Sequence, residues 1–492
     1  MKGTPLRAEG YQLLHEGAIA LSQVEANGIR IDVPLLNKTK EKLTSDIRGL
    51  RKELQSDNIW RMWQKRYGGK ANLTSRPQLA EMLHVQLDYE VEEMTETGRP
   101  SMDEETLQKF DNPFVDKLVR LQRYEKALGT FLKGIEKEVV DDRLHPVFNL
   151  HTVQTYRSSS DSPNFQNQPV RDKEIAKLIR QHFIASPDSV LVENDFKGIE
   201  VGVSACYHHD KNFISYIKTP GKDMHGDMAA QIYFLDPAWI KKSGKDHRYG
   251  AKNKFVFPQF YGDYYVSCAK SLWEWCTKGK LLGPEGQPLL QHLKSKGIHK
   301  LGACDPDERP EQGTFERHIQ EVENDFWNNR FRGYGQWRKD WYNDYLRKGY
   351  FDLLTGFRVQ GDFRRNQVTN YPVQGSAFHC LLWTLIRVNK LLRKYKMRSK
   401  VVGQIHDSLI GDVLEKELRN YLELVEKTVT VDLRKAYEWL CVPLEIEYEI
   451  APRLGSWYEK REVKFKNGRF LHPKDPSKST ADVDKFLQSI RK

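Results

Sequence analysis

Cysteine is scarce: six thiols in 492 residues, at Cys206, Cys268, Cys276, Cys304, Cys380 and Cys441, with no CxxC pair. That scatter excludes a disulfide scaffold and a zinc finger, and it fits a reducing compartment. No run approaches 18 consecutive apolar residues, so no segment is expected to span a membrane. The opening Met-Lys-Gly-Thr-Pro leads into an amphipathic stretch without the apolar centre of a secretion signal. Acidic residues are the minority, with 67 Asp plus Glu against 78 Lys plus Arg and a formal net charge of +11. Such a balance favours an anionic partner, nucleic acid first, although many ordinary enzymes share it. No repeat of 20–50 residues is evident. The length supports a large core and roughly two to four domains at about 150 residues each.

Apolar positions at helical spacing over residues 10–25 end at Asn27-Gly28, a helix stop. A second helical region runs from Val33 to Lys65. Residues 38–76 hold eleven Lys/Arg against four Asp/Glu, with Trp60, Trp63 and Tyr67 interleaved. This pattern suits a surface that follows a phosphate backbone; a solvated basic face over core aromatics is the equal alternative. The pattern is helical again from Asp103 to Val140, then polar and loop-like over 151–169. Ser189–Asn194 reads as a short strand ending at Asp195. Residues 265–312 read as an inserted excursion, and Phe315–Lys348 as aromatic-rich helix. Val401–Val413 reads as two short strands with His406-Asp407 near the turn. Val463–Leu471 reads as a hairpin about Asn467-Gly468. The last twenty residues read as a mobile tail in which Val483–Ile490 can form a small amphipathic helix.

Three segments carry chemistry. In Leu191-Val-Glu-Asn-Asp-Phe-Lys-Gly-Ile-Glu200 a buried strand delivers Asp195 to its exit, before a helix from Ile199 to Cys206. In Gln404-Ile-His-Asp-Ser408 the tip of a hairpin carries Asp407. If the two strands are neighbours, the carboxylates converge and repel unless cations lie between them. Mg²⁺ suits such a site, since it takes few carboxylates, keeps waters and accepts substrate phosphates. Read singly, a helix N-cap for Asp195 and a turn residue for Asp407 are the plainer readings. The third segment runs from Arg248 to Gly262, where Arg248 and Lys252, four apart, share a helix face among Lys241, Lys242, Lys245 and Lys254. Such a face can hold a triphosphate; a solvated basic helix is the alternative.

Together these segments resemble family A (DNA polymerase I-like) DNA polymerases, closest in flavour to the phage branch. Asp195-Phe-Lys-Gly-Ile-Glu200 resembles the first palm motif, Arg248–Gly262 the fingers helix, and Gln404-Ile-His-Asp407 the last palm motif. Further likenesses lie in Thr155-Tyr-Arg157-Ser-Ser-Ser160 with Pro163-Asn-Phe-Gln-Asn167, in Asp223-Met-His225, and in Asn370-Tyr-Pro-Val-Gln374. The likeness covers roughly residues 10–460, with six motifs in order.

The resemblance implies an α+β, multi-domain right-hand polymerase with an antiparallel palm sheet and helical thumb and fingers. Residues 1–28 would be a linker preceding the thumb, 29–150 the thumb, and 151–206 with 346–470 the palm. Residues 207–345 would be the fingers, with the insertion at about 265–312, and 471–492 a C-terminal tail. Asp195, Asp407 and the backbone carbonyl of Phe196 would hold two Mg²⁺ ions. Lys252 would neutralise the leaving pyrophosphate and can give it a proton, while Arg248 and His225 bind the outer phosphates. Glu200 would exclude a ribose 2′-hydroxyl, Phe257 would face the sugar, and Tyr261 would stack near the templating base. Arg157, Asn164, Gln166, Asn370, Gln374 and His406 would touch primer-template DNA, whose minor-groove acceptors look alike in every correct pair. The implied partners are primer-template DNA and dNTPs, with a separate exonuclease or processivity subunit possible and no membrane. The implied location is cytoplasmic, or host cytoplasm for a viral source.

Four departures stand out. Lys252 and Arg248 lie nine and thirteen residues before Tyr261, where the family pattern has eight and twelve, and Pro258 falls inside the same helix. A π-bulge or kink between Lys252 and Tyr261 would absorb both, placing Phe257 at the sugar unless Val256 or Phe255 takes that place. Ser408 stands where many relatives carry an acid, as it does in single-subunit RNA polymerases of the same fold. Lys197-Gly198 replaces a Ser-Gln pair. The chain begins where the family's proofreading domain would end, so no 3′–5′ exonuclease site is expected in it. The competing readings are an RNA polymerase of the same fold and a catalytically inactive DNA-binding replisome subunit. Glu200 argues against the first, and retention of Asp195, Asp407, Arg248 and Lys252 against the second.

Overall fold

The computed structural model describes residues 8–91, 94–95, 97–278, 281–472 and 476–490. Parts of the expected linker (1–7) and tail (473–475, 491–492) therefore lie outside the described residues. The architecture mixes helices with antiparallel sheets.

The centre is a six-stranded antiparallel sheet in the order Lys400–Ile405, Ser408–Leu414, Ser189–Phe196, Ile446–Ile450, Arg461–Lys466, Arg469–Leu471. Its middle strand is long because Val190, Leu191 and Val192 are all buried, as a strand covered on both faces requires. The helix Ile199–His208 follows directly, started by Gly198 in a left-handed conformation rather than by Asp195. The N-cap reading of Asp195 is therefore set aside. The 30-residue helix Arg365–Lys394 packs beside it, and its Gly375 lets the loop at Thr155 come close. A Cβ there would lie 2.7 Å from the carbonyl oxygen of Thr155. The close approach brings the loop carrying Arg157 against the helix carrying Asn370 and Gln374.

Before the sheet lies a helical unit. Helix Val33–Ser56 is capped by Asp32, whose side chain accepts from Leu35 N–H. Asp57 breaks the expected single helix and caps the next one, Asn58–Tyr67. This end of the unit has its own apolar cluster, including Trp60, Trp63, Met82, Phe110 and Phe114, apart from the main core. Trp60 and Trp63 are thus core residues, and the reading that set them on a DNA-facing surface is corrected. Helical spacing put them on one face but could not say which face was buried.

A second helical unit follows Cys206, from Lys211–Lys218 through Arg332–Lys348. The excursion after Tyr265 is anchored rather than free: Leu281, Leu289, Leu293, Ile298 and Cys304 are buried in the main core. The last hairpin is the one expected, but the residues after it are not. Asn467 and Gly468 turn the final hairpin with φ of 52° and 74°. Thr480 pairs with Phe470, and helix Val483–Ser489 stacks Phe486 on the Phe470 ring at 3.9 Å. Residues 476–490 are therefore packed, because an exposed apolar hairpin face needs cover, and the mobile-tail reading is corrected. Among the described residues, no helix is long and apolar enough to cross a membrane.

Candidate active site

Asp195 and Asp407, 212 positions apart in sequence, meet in the central sheet. Ser408 stands opposite Asp195 in the strand register, and Phe196 N–H donates to the Asp407 carbonyl at 3.1 Å. Burial pushes the Asp195 carboxyl up to about 7, reinforced by Asp407, Glu193 and Glu447 and opposed by Lys460. Burial also raises Asp407, while Arg157 and His406 hold it down. Arg157 lies between acids: its Nη2 is 3.6 Å from Asp407 and its Nη1 3.3 Å from Glu200. Two half-buried carboxylates that resist ionisation are a donor set that a divalent cation would relieve. Among the described residues no three His, Cys, Asp or Glu side chains are grouped to hold a metal. The remaining ligands would have to be carbonyls, waters or substrate oxygens, which suits Mg²⁺.

Ser408 does not leave the acidic environment bare. Its Oγ lies 3.2 Å from Glu193 Oε1 and 3.0 Å from the Ile405 carbonyl. Glu193 also accepts from Trp457 Nε1 at 2.7 Å and is paired with Lys460. Sequence reasoning missed Glu193 and Glu447. Alternation was the available signal, since Glu193 lies two residues from Asp195 and Glu447 stands opposite it.

A cavity of about 410 Å³ opens beside Asp407. Arg157, Glu200, Phe257, Tyr261, Asn370, Gln374 and Asp407 line it, together with Ser204 and Tyr334, which the motifs did not single out. Tyr261 Oη donates to Glu200 at 3.0 Å, and Asn370 Nδ2 donates to the Tyr261 carbonyl at 2.7 Å. Burial raises the Glu200 carboxyl and the Tyr261 hydroxyl alike, so this contact is a neutral phenol donating to a poorly solvated acid.

The helix from Lys245 to Phe260 contains the anticipated irregularity. A π turn spans Lys252–Val256, with Phe257 N–H bonded to the Lys252 carbonyl five residues back. Ordinary four-residue bonds resume at Tyr261 N–H to the Phe257 carbonyl, 2.9 Å. The wide turn absorbs the extra residue and leads into Pro258, which has no N–H to place. Phe255 and Val256 are fully buried, so Phe257 is the one of the three that faces the cavity. The Lys252 ammonium lies 5.1 Å from the Phe257 ring centre, and the His225 ring 5.7 Å away, edge-on. Arg248 Nε donates to Asp223 at 2.6 Å. Burial, then Arg248 and Lys252, bring His225 down to about 4, so its ring is neutral at pH 7. Arg248, Lys252 and His225 therefore form one group that meets the cavity through Phe257.

The remaining predicted residues, Gln166, His406 and Asn164, do not line the cavity. Gln166 Nε2 donates to Gln404 at 2.7 Å and to Ser158 at 2.8 Å, and Gln404 Nε2 donates to the His406 carbonyl at 2.8 Å. His406 sits at the hairpin turn with φ of 47°. Burial and Arg157 lower its pKa, so it too is mostly neutral. Asn164 stands apart, exposed, its side chain accepting from Asn167 N–H at 3.1 Å.

The profile of DNA polymerase family A matches residues 35–275 and 342–459. The chain is 27% identical over 471 residues to a DNA polymerase I of Lactococcus lactis, covering 93% of this chain and 47% of that protein. It is 27% identical over 455 residues to a thermostable DNA polymerase I of Thermus filiformis, covering 90% and 47%. It is 23% identical over 506 residues to a DNA polymerase of Bacillus phage SP01, covering 94% and 49%. The chain thus spans about half the length of these relatives. A solved polymerase domain of Pol1 from M. smegmatis, in complex with DNA primer-template and dNTP, shares the fold with a TM-score of 0.68. That structure is 22% identical and is matched over 90% of this chain and 70% of its own. With the profile matched over well more than half its length, the chain belongs to DNA polymerase family A.

Proposed function

We propose that this chain carries out template-directed DNA synthesis, adding dNTPs to a primer 3′-hydroxyl with release of pyrophosphate. The observation that carries the reading is the meeting of Asp195 and Asp407 beside a cavity roofed by Phe257, with Lys252, Arg248 and His225 behind it. In this reading 29–150 is the thumb, 151–206 with 346–470 the palm, and 207–345 the fingers. Asp195, Asp407 and the Phe196 carbonyl would hold two Mg²⁺ ions, and bound metal would supply activation of the 3′-hydroxyl and neutralisation of triphosphate charge.

The chain's own groups supply the rest. Lys252, Arg248 and neutral His225 receive the triphosphate, and Lys252 is placed to give the departing pyrophosphate a proton. Phe257 supports the sugar, and Glu200, held by Arg157 and Tyr261, fills the space a 2′-hydroxyl would need. Tyr261 lines the same cavity, near where the templating base is expected. Gln374, Asn370, Arg157, Gln166, Asn164 and His406 lie along the expected primer-template path and can sense base-pair shape.

Parallel primer extension with dNTPs and with NTPs tests the reading. Extension with dNTPs alone is expected; a preference for NTPs would shift the assignment to an RNA polymerase of the same fold, and binding without extension to a non-catalytic DNA-binding subunit. Including a primer with a mismatched 3′ end reports in the same experiment whether the chain removes nucleotides.

A further inference from the structure

Asp223 opens the Asp223-Met-His225 motif and Gly226 follows it directly, yet the roles assigned above use only His225. Asp223 lies immediately before the helix Met224–Tyr233, and its side chain makes no capping hydrogen bond to that helix. It turns instead to the neighbouring helix and accepts from Arg248 Nε at 2.6 Å. Burial opposes its ionisation, but Arg248, joined by the nearby Gly226 backbone N–H and His225, outweighs burial and keeps the carboxyl below its usual range. Among the described residues, this is the guanidinium's one recorded side-chain partner, so both terminal nitrogens remain available. Gly226 is bare where the carboxylate passes: a Cβ there would lie 2.6 Å from Asp223 Oδ2 and 3.0 Å from its Cγ. His225, between these two residues, has a buried Nδ1 with no hydrogen-bond partner.

We propose that Asp223 is a positioning residue for nucleotide binding: it holds Arg248 by Nε so that the two terminal nitrogens present a fixed fork to the triphosphate, and Gly226 leaves the room this needs. The inference rests on the reading that Arg248 binds phosphate. The physical logic is preorganisation. Arginine recognises phosphate best with two parallel N–H bonds, and a long side chain loses rotamer freedom when it makes them. A carboxylate at Nε absorbs part of that loss before the nucleotide arrives. The ion pair itself is partly exposed, so its own worth to folding is small. Its effect should appear in nucleotide binding and not in melting.

The test is steady-state extension of a primed template by Asp223→Ala, Asp223→Asn, Gly226→Ala, Arg248→Ala and the Asp223→Ala/Arg248→Ala double variant. Primer-template affinity and the melting midpoint are measured alongside. Losing the oriented charge-assisted contact is expected to raise the dNTP KM of Asp223→Ala by about ten- to thirtyfold, with kcat within about threefold. Asp223→Asn, whose amide oxygen can still accept from Nε, should fall between it and wild type. Gly226→Ala should shift KM the same way by displacing the carboxylate. In the Arg248→Ala background, Asp223→Ala should add less than about twofold, because the two act as one unit. An unchanged or lower KM for Asp223→Ala would overturn the proposal, the lower value meaning that Asp223 competes with phosphate. Independent, multiplying effects would also overturn it, as would equal losses in melting and primer-template affinity. If wild type shows no saturable dNTP incorporation, the polymerase reading itself falls. If wild type is active but Arg248→Ala leaves KM unchanged, only the phosphate role of Arg248, and with it this proposal, is lost.

Discussion

At the scale of single residues, the molecule keeps several acids where water is poor, and Glu193, Glu200 and Asp407 each lie against a cation. Asp407→Asn retains shape and removes the charge that a cation would use. It is expected to abolish primer extension while leaving primer-template affinity within about threefold. Extension at the wild-type rate would remove Asp407 from metal binding. Glu323 tests the same electrostatics away from the site. Burial raises it to about 7 from 4.5, although Gln259 and Arg338 pull it down. A raised carboxyl contributes stability that is complete below pH 4.5 and is lost as pH climbs through 7. Glu323→Gln should therefore be near neutral at pH 5 and stabilising by about 1–3 kcal/mol at pH 8, read from urea midpoints. Equal midpoints at pH 8 would show that the burial cost is relieved in some other way. Asp195 and Asp407 were readable because each sits in a short segment of recognisable order. Glu193 was not, because what makes it matter is Trp457, 264 positions away, and Lys460, 267 positions away. Alternation gives a residue's face but not the distant side chains that meet it.

At the scale of elements, the helix Lys245–Phe260 was the most legible piece. One surplus residue and one internal proline predict a disturbance in a known interval, and the backbone has room for few kinds. Which residue would face the cavity was not legible, because three apolar neighbours, Phe255, Val256 and Phe257, differ only by rotation about the axis. The prediction separates them. Phe255→Ala, in the core against Phe326, should cost about 3–5 kcal/mol of stability with little effect on dNTP KM once folded. Phe257→Ala should raise dNTP KM with a small loss of stability. The reverse pattern, read from melting and steady-state kinetics, would move the π turn elsewhere. The tryptophans of Asn58–Tyr67 show the opposite situation. Strong amphipathicity announced a helix, but the identity of the wet face depended on a cluster completed by Phe110 and Phe114 from residues far along the chain.

At the scale of the whole molecule, the excess of positive charge is spread over the first helical unit as well as the site. Several of its cations already have partners, such as Lys40 with Glu136 and Arg51 with Glu125. Arg48, Lys52 and Lys65 are exposed and have no ion-pair partner among the described residues. Their joint reversal to Glu is expected to weaken primer-template binding evenly across sequences. It should also flatten the salt dependence by up to about 0.9 log units per decade for each lost phosphate contact. The dNTP KM should not move, because none of the three side chains lines the cavity. An unchanged salt slope would place the DNA path off this face. Composition indicated an anionic partner and order of motifs indicated the hand, but neither could show that the final residues close over the last hairpin.

The wide turn at Lys252–Val256 has a practical consequence for anyone grafting substitutions from relatives. Counting four forward from Lys252 arrives at Val256, a side chain sealed in the interior, whereas counting four back from Tyr261 arrives at Phe257. A graft placed by the first rule would loosen the protein and never reach the cavity. Numbering on this helix has to be anchored at its far end, and the phosphate end transposed separately.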